Sequence, residues 1–176
     1  MIANFSKVVA LIATLYFLPL SVLSQMKQDT MRQHSNTSVP LKSITIHQEV
    51  DFKASPEQLY KALLDSKQFS EFTAQSGGFS AMSAKIDPSE GGAFTLFDGY
   101  ITGRNVELVP NQRIVQAWHD KEWPAGVYSI VKFELKSQGS GTHLVFYHTG
   151  FPENSREHLA AGWKSHYWDP IKKYLR

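Results

Sequence analysis

The chain's 176 residues suffice for one domain or slightly more, and an apolar share of 42% with 12% aromatic rings can fill a substantial core. A formal charge of +2, with acids and bases interspersed, leaves no basic stripe and argues against a nucleic-acid partner. With no cysteine, disulfides, thiolate metal sites, cysteine nucleophiles and a lipid-bearing cysteine are all excluded.

The N-terminus has the make-up of an export signal. Lys7 supplies a positive charge ahead of the uncharged apolar run from Val8 to Leu23, and Val22 and Ser24 set compact residues before a cut ahead of Gln25. The run is shorter than the ~20 residues that span a bilayer, and Pro19 interrupts it. Residues 1–24 are therefore expected to be the signal peptide of a secreted or periplasmic protein, with an uncleaved membrane anchor as the alternative. Residues 25–42 are polar, lack an aliphatic pattern and are expected to form a flexible linker. Residues 43–176 remain as the folded domain, with no membrane span expected after cleavage.

The domain opens on an alternating segment. Ile44, Ile46, Gln48, Val50 and Phe52 fall on one side and Thr45, His47, Glu49 and Asp51 on the other, the pattern of a strand with one wet face. Ser55-Pro56-Glu57-Gln58 then marks a helix start: Ser55 caps, Pro56 suits the first turn and Gln58 closes a capping box. Leu59, Ala62 and Leu63 form its buried stripe, and a second short helix is expected around Lys67 to Thr73, ahead of a break at Gly77-Gly78. Turn signals then separate six strands: Ser80 to Ile86, Ala93 to Phe97, Tyr100 to Leu108, Arg113 to His119, Val127 to Lys136 and Thr142 to Thr149. Asp98-Gly99 favours a tight hairpin because both residues tolerate positive φ, and Gly139-Ser140-Gly141 is a second hairpin turn. Consecutive hairpins give an antiparallel meander.

After Pro152 the period changes. Leu159, Trp163, Tyr167, Ile171 and Leu175 recur every fourth residue, one face of a long amphipathic helix. Ser155 is its expected N-cap, and Lys172, Lys173 and Arg176 complement the dipole at its far end. Pro170 removes one backbone hydrogen bond and is expected to kink or divide the helix near His166. The order of elements predicts an α+β helix-grip, a curved antiparallel sheet around a long C-terminal helix, with room for a cavity between them.

The segments Gly91-Gly92-Ala93-Phe94, Asp98-Gly99, Thr102-Gly103, Glu107-Leu108-Val109-Pro110, Trp118, Trp123-Pro124 and Gly126 follow one another in an order that resembles a known family. Gly150-Phe151-Pro152, Gly162-Trp163 and Tyr167-Trp168 continue the match, which runs from about Ile44 to the C-terminus. The family is the AHSA-type branch (activator of heat-shock protein 90 ATPase homologue-like) of the START-like, or SRPBCC, superfamily. The resemblance implies a helix-grip of the birch-pollen-allergen type. For function it implies either a carrier of a small apolar or amphipathic ligand, as elsewhere in the superfamily, or a protein-interaction module. The latter would follow co-chaperones that stimulate the ninety-kilodalton chaperone through a further N-terminal domain, which this chain is not expected to carry. The superfamily shares no catalytic motif, so an enzyme of the cyclase or hydrolase kind is the third reading.

The candidate ligand-binding residues are Trp118, Phe133, Phe146, His148, Trp163 and Tyr167. The five aromatic residues either line a pocket or fill the core. His148 is in phase with Leu144 and Phe146 and points inward, where an imidazole can orient a ligand, act as a general base or simply be hydrogen-bonded within the sheet. His119, Asp120, Lys121 and Glu122 have the character of a solvated loop, and Trp123-Pro124 that of an exposed apolar patch for a protein partner. His158 and His166 lie two helical turns apart and His143 and His148 on opposite strand faces, so no metal site is expected. No nucleophile, phosphate-loop or dinucleotide signature is present, and no catalytic residue or cofactor is assigned.

Overall fold

A computed structural model describes residues 44–76 and 83–176. The expected signal peptide and linker, the Gly77-Gly78 break and the start of the Ser80 strand lie outside the described residues. The elements are β1 (Thr45–Phe52), α1 (Pro56–Leu64), α2 (Ser66–Thr73), β2 (Lys85–Ile86), β3 (Ala93–Leu96), β4 (Ile101–Val109), β5 (Arg113–Asp120), β6 (Ser129–Gln138) and β7 (Gly141–Thr149). The chain ends in α3 (Arg156–Gly162), a widened helical turn (Trp163–Trp168) and α4 (Asp169–Tyr174).

Strands β2 to β7 form the meander that the turn signals predict, and β1 closes against β7, giving the order β1-β7-β6-β5-β4-β3-β2 with every pair antiparallel. In β1, Ile46 and Phe52 are buried while His47, Glu49 and Asp51 are exposed, as the alternation requires. Gly103 has a specific task in β4. It pairs with Phe94 on one side and Trp118 on the other, and a Cβ there would run into the Ala117 carbonyl and the Phe94 ring. Its bare backbone lets Phe94 lie over the sheet toward Trp118, with ring centroids 6.1 Å apart. The β3–β4 turn is longer than the tight hairpin expected at Asp98-Gly99: Phe97 to Tyr100 separate the paired Leu96 and Ile101, and Phe97, Asp98 and Gly99 all have positive φ (51°, 53° and 92°). The Asp98 carboxylate steadies it by accepting from the Ser83 N–H (2.8 Å) and hydroxyl (2.7 Å), bonds that lower its pKa.

Helix α1 starts on the predicted capping box, with the Gln58 N–H donating to Ser55 Oγ (3.3 Å) and the Ser55 N–H donating to Gln58 Oε1 (2.9 Å). Ser155 departs from expectation: it ends a short tight turn, Glu153–Ser155, and its hydroxyl caps nothing. The division expected near His166 takes the form of a widened turn. The Asp169 N–H reaches back five residues to the Lys164 carbonyl, so the widened turn lies immediately before Pro170, which has no N–H to donate. Backbone angles stay helical through Trp163, Trp168 and Asp169, so the helix passes the proline without a break.

This helix is gripped by the sheet's inner face. Leu159, Trp163, Tyr167, Trp168 and Ile171 are buried, with Trp163 4.3 Å from Phe146 of β7 and Tyr167 5.5 Å from Phe69 of α2 between ring centroids. Gln48, the polar member of the inward row of β1, ties the helix down. Its Oε1 accepts from Trp168 Nε1 (2.6 Å) and its Nε2 donates to the Ala160 carbonyl (3.0 Å). Among the described residues no helix is long and apolar enough to cross a membrane.

A candidate ligand cavity between sheet and helix

A cavity of about 230 Å³ lies between β5 and the C-terminal helix. Its apolar walls include Trp118, Trp163, Phe97, Ile101 and Leu159, and its polar lining includes Asp120, Tyr167 and Tyr100. Of the six candidates, Trp118, Trp163 and Tyr167 line it. Phe133, Phe146 and His148 do not; they stand behind its wall and support Trp163.

Each tryptophan in the wall is held by its polar tip. Trp118 Nε1 donates to Gln116 Oε1 (3.0 Å), Gln116 Nε2 to Asn105 Oδ1 (2.9 Å), and Asn105 Nδ2 to the carbonyls of Asp87 (2.8 Å) and Ser89 (3.2 Å). The Asn105 backbone meanwhile pairs with Gly91 and Gly92, so a buried polar chain joins the glycine turn to the cavity wall. On the helix side, Trp163 Nε1 donates to His148 Nδ1 (3.1 Å). An indole nitrogen only donates, so Nδ1 is the acceptor and His148 Nε2 carries the proton, given to Ser129 Oγ (2.7 Å). His148 is fully buried, and burial lowers its pKa to about 3. It is a neutral imidazole hydrogen-bonded both within the sheet, to Ser129, and across to Trp163 of the helix.

Tyr167 is different. Its ring packs 4.4 Å from Trp163 and 6.0 Å from Phe97, yet among the described residues its buried hydroxyl has no hydrogen-bond partner. Burial raises its pKa well above the ordinary value.

The polar edge is formed by residues that sequence reasoning set aside. Asp120 was expected in a solvated loop, but β5 continues through it and leaves it only 5% exposed. Ile114, Gln116, Trp118 and Asp120 form one inward row, and carrying that alternation one step further would have found the carboxylate. Asp120 Oδ1 accepts from the Glu122 N–H (2.9 Å). Burial raises its pKa, the hydrogen bond from the Glu122 N–H opposes the rise, the Glu122 charge adds to it, and His158 and His119 oppose it. Tyr100 is pushed up to about 12 by burial and by Asp120 and Glu122. His166 is lowered by burial and by His158, while His158 itself is exposed at the rim. Trp123, expected in an exposed patch, is instead buried with its ring 6.4 Å from His148; only Pro124 of that pair is exposed. A bulky indole beside the sheet gains more from burial than from display. Beyond Asp120 a second cavity of about 440 Å³ shares Asp120, His158 and Leu159 with the first. Among the described residues, no three His, Cys, Asp or Glu are grouped to hold a metal ion.

A seven-stranded antiparallel sheet wrapped on a C-terminal helix, with an aromatic cavity between them, defines a helix-grip domain. Residues 53–176 match the family described as activator of Hsp90 ATPase homolog 1-like protein, and the chain belongs to that family. It is 27% identical over 144 residues to the human activator of 90 kDa heat shock protein ATPase homolog 1, covering 82% of this chain and 40% of that protein. It is 31% identical over 129 residues to the Dictyostelium discoideum homologue, covering 73% of this chain and 32% of that one. The chain thus spans well under half the length of these relatives. The crystal structure of an HSP90 activator from Plasmodium falciparum superposes with a TM-score of 0.68 at 25% identity, over 75% of this chain and 96% of that one.

Proposed function

We propose that this domain binds a small apolar or amphipathic molecule in the cavity between β5 and the C-terminal helix, and that residues 1–24 direct its export. One observation carries the binding reading: a cavity of about 230 Å³ between β5 and the C-terminal helix, walled by Trp118, Trp163, Phe97, Ile101 and Leu159 and edged by Asp120. Native mass spectrometry of protein purified from its own compartment tests it. The expected result is a reproducible mass excess that disappears on denaturation; a folded, monodisperse sample without one refutes the reading. Export is checked on the same sample, where the expected mature N-terminus is Gln25 and an intact Met1 overturns it.

Family membership favours a second reading, a module that docks on a protein and assists a 90 kDa heat shock protein ATPase as its relatives' names state. The buried Trp123 takes no part in such docking. Tyr128 and Ile130, 58% and 42% exposed, supply apolar surface at the start of β6. Stimulation of that ATPase by the purified domain, lost on Ile130→Asp, supports this reading; no stimulation at saturating domain removes it.

A further inference from the structure

We propose that the occupant is a compact two-ring aromatic amine, its rings against Trp118 and Trp163 and its ammonium group against Asp120. The proposal rests on the ligand-binding reading above and adds the chemical class.

Size comes first. An apolar cavity of about 150 Å³ holds one benzene ring. At about 230 Å³, the present cavity has room for a fused bicycle with a short side chain. Shape follows from the walls. The Trp118 and Trp163 centroids lie 4.8 Å apart with planes inclined by 38°, a continuous aromatic surface on which a flat ring system gains the most contact. These rings cannot turn away, because the Gln116–Asn105 chain holds one and the His148–Ser129 pair the other.

Charge decides the head group. Asp120 contributes the one carboxylate of the lining, and no Lys or Arg lines the cavity. Its Oδ1 is engaged by the Glu122 N–H (2.9 Å). A carboxylate buried this deeply calls for a cation or a strong donor, and an ammonium supplies both. The Glu122 carboxylate adds negative charge beside both Asp120 and Tyr100. A plain fatty chain would leave the carboxylate without a partner.

Three indoles that differ only in their head group test this by titration calorimetry on the full mature chain: tryptamine, tryptophol and indole-3-acetate. The expected order is tryptamine, then tryptophol, then indole-3-acetate, with the ends separated by about tenfold or more in Kd, the yield of one charge-assisted bond. Asp120→Asn keeps an oxygen for the Glu122 N–H and so preserves the local fold. It is expected to weaken tryptamine by about tenfold while leaving tryptophol within about twofold. Indole-3-acetate binding as tightly as tryptamine overturns the amine assignment and leaves the cavity reading standing. So does an Asp120→Asn variant that loses all three probes equally, because the carboxylate's role is then structural. If none of the probes binds, the assignment is overturned as well, and the mass excess alone then decides whether the cavity carries a ligand.

Discussion

Removing one oxygen atom from the core is expected to stabilise the unliganded protein. The Tyr167 hydroxyl is buried without a hydrogen-bond partner among the described residues, so folding strips it of water and returns nothing. Such a group costs about 1–3 kcal/mol. Tyr167→Phe abolishes that cost and keeps the ring contacts with Trp163, Phe69, Phe97 and Trp118, at centroid distances of 4.4, 5.5, 6.0 and 6.1 Å. The expected gain is about 1–2 kcal/mol, which at this domain size raises Tm by roughly 3–8 °C. Urea unfolding followed by tryptophan fluorescence measures it, with an unchanged m-value as the sign that only stability has moved. A variant that is equally or less stable refutes the reasoning, because the hydroxyl must then be bonded to water inside the cavity.

Acid should unfold the protein partly through His148. Its folded pKa of about 3 lies below the ordinary ~6.5, so the unfolded state binds more protons between those values. The stabilisation is complete above pH ~6.5 and falls by about 3–5 kcal/mol as the pH drops toward 3, and stability curves of wild type and His148→Asn should converge over that window. Gly103→Ala drives a methyl group into the Ala117 carbonyl and the Phe94 ring and should cost about 3 kcal/mol or more, read as a lowered urea midpoint. Gln48→Ala leaves the Trp168 N–H and the Ala160 carbonyl without their partner and should cost about 1–3 kcal/mol, with hydrogen exchange of the C-terminal helix rising ahead of the sheet.

The sheet was legible because its information is local. Alternation in β1 and glycine or proline at each turn place the strands of the meander that follows β3 within two residues of where they lie. The C-terminal helix was legible from its period, but the response to Pro170 was not. Whether a helix kinks or widens depends on what holds its buried face, here Gln48 from a strand more than a hundred residues away. Trp118, Trp163 and Tyr167 were recognisable as inward aromatics, yet which rings face a void and which pack solidly is a matter of three-dimensional fit. Phe133 and Phe146 have the same phase and chemistry and end behind the wall. Asp120 was missed for another reason. A run of four polar residues suggests solvent, and only the inward row beginning at Ile114 outweighs that composition.

The positions that carry the family resemblance build the cavity rather than choose its contents. Gly91-Gly92 anchors Asn105, whose amide chain ends on the Trp118 indole; Gly103 lets Phe94 pack toward that same ring; Gly162-Trp163 delivers the indole that His148 fixes. Asp120, Tyr100, His158 and His166 lie outside those segments, and they are the side chains that would meet a ligand's polar groups. A frame built by one set of residues and a polar edge built by another allow one fold to serve different occupants. Exchanging Asp120 and its neighbours should therefore change which molecule is held while leaving stability within about 1 kcal/mol, whereas exchanging Asn105 or Gln116 should do the reverse.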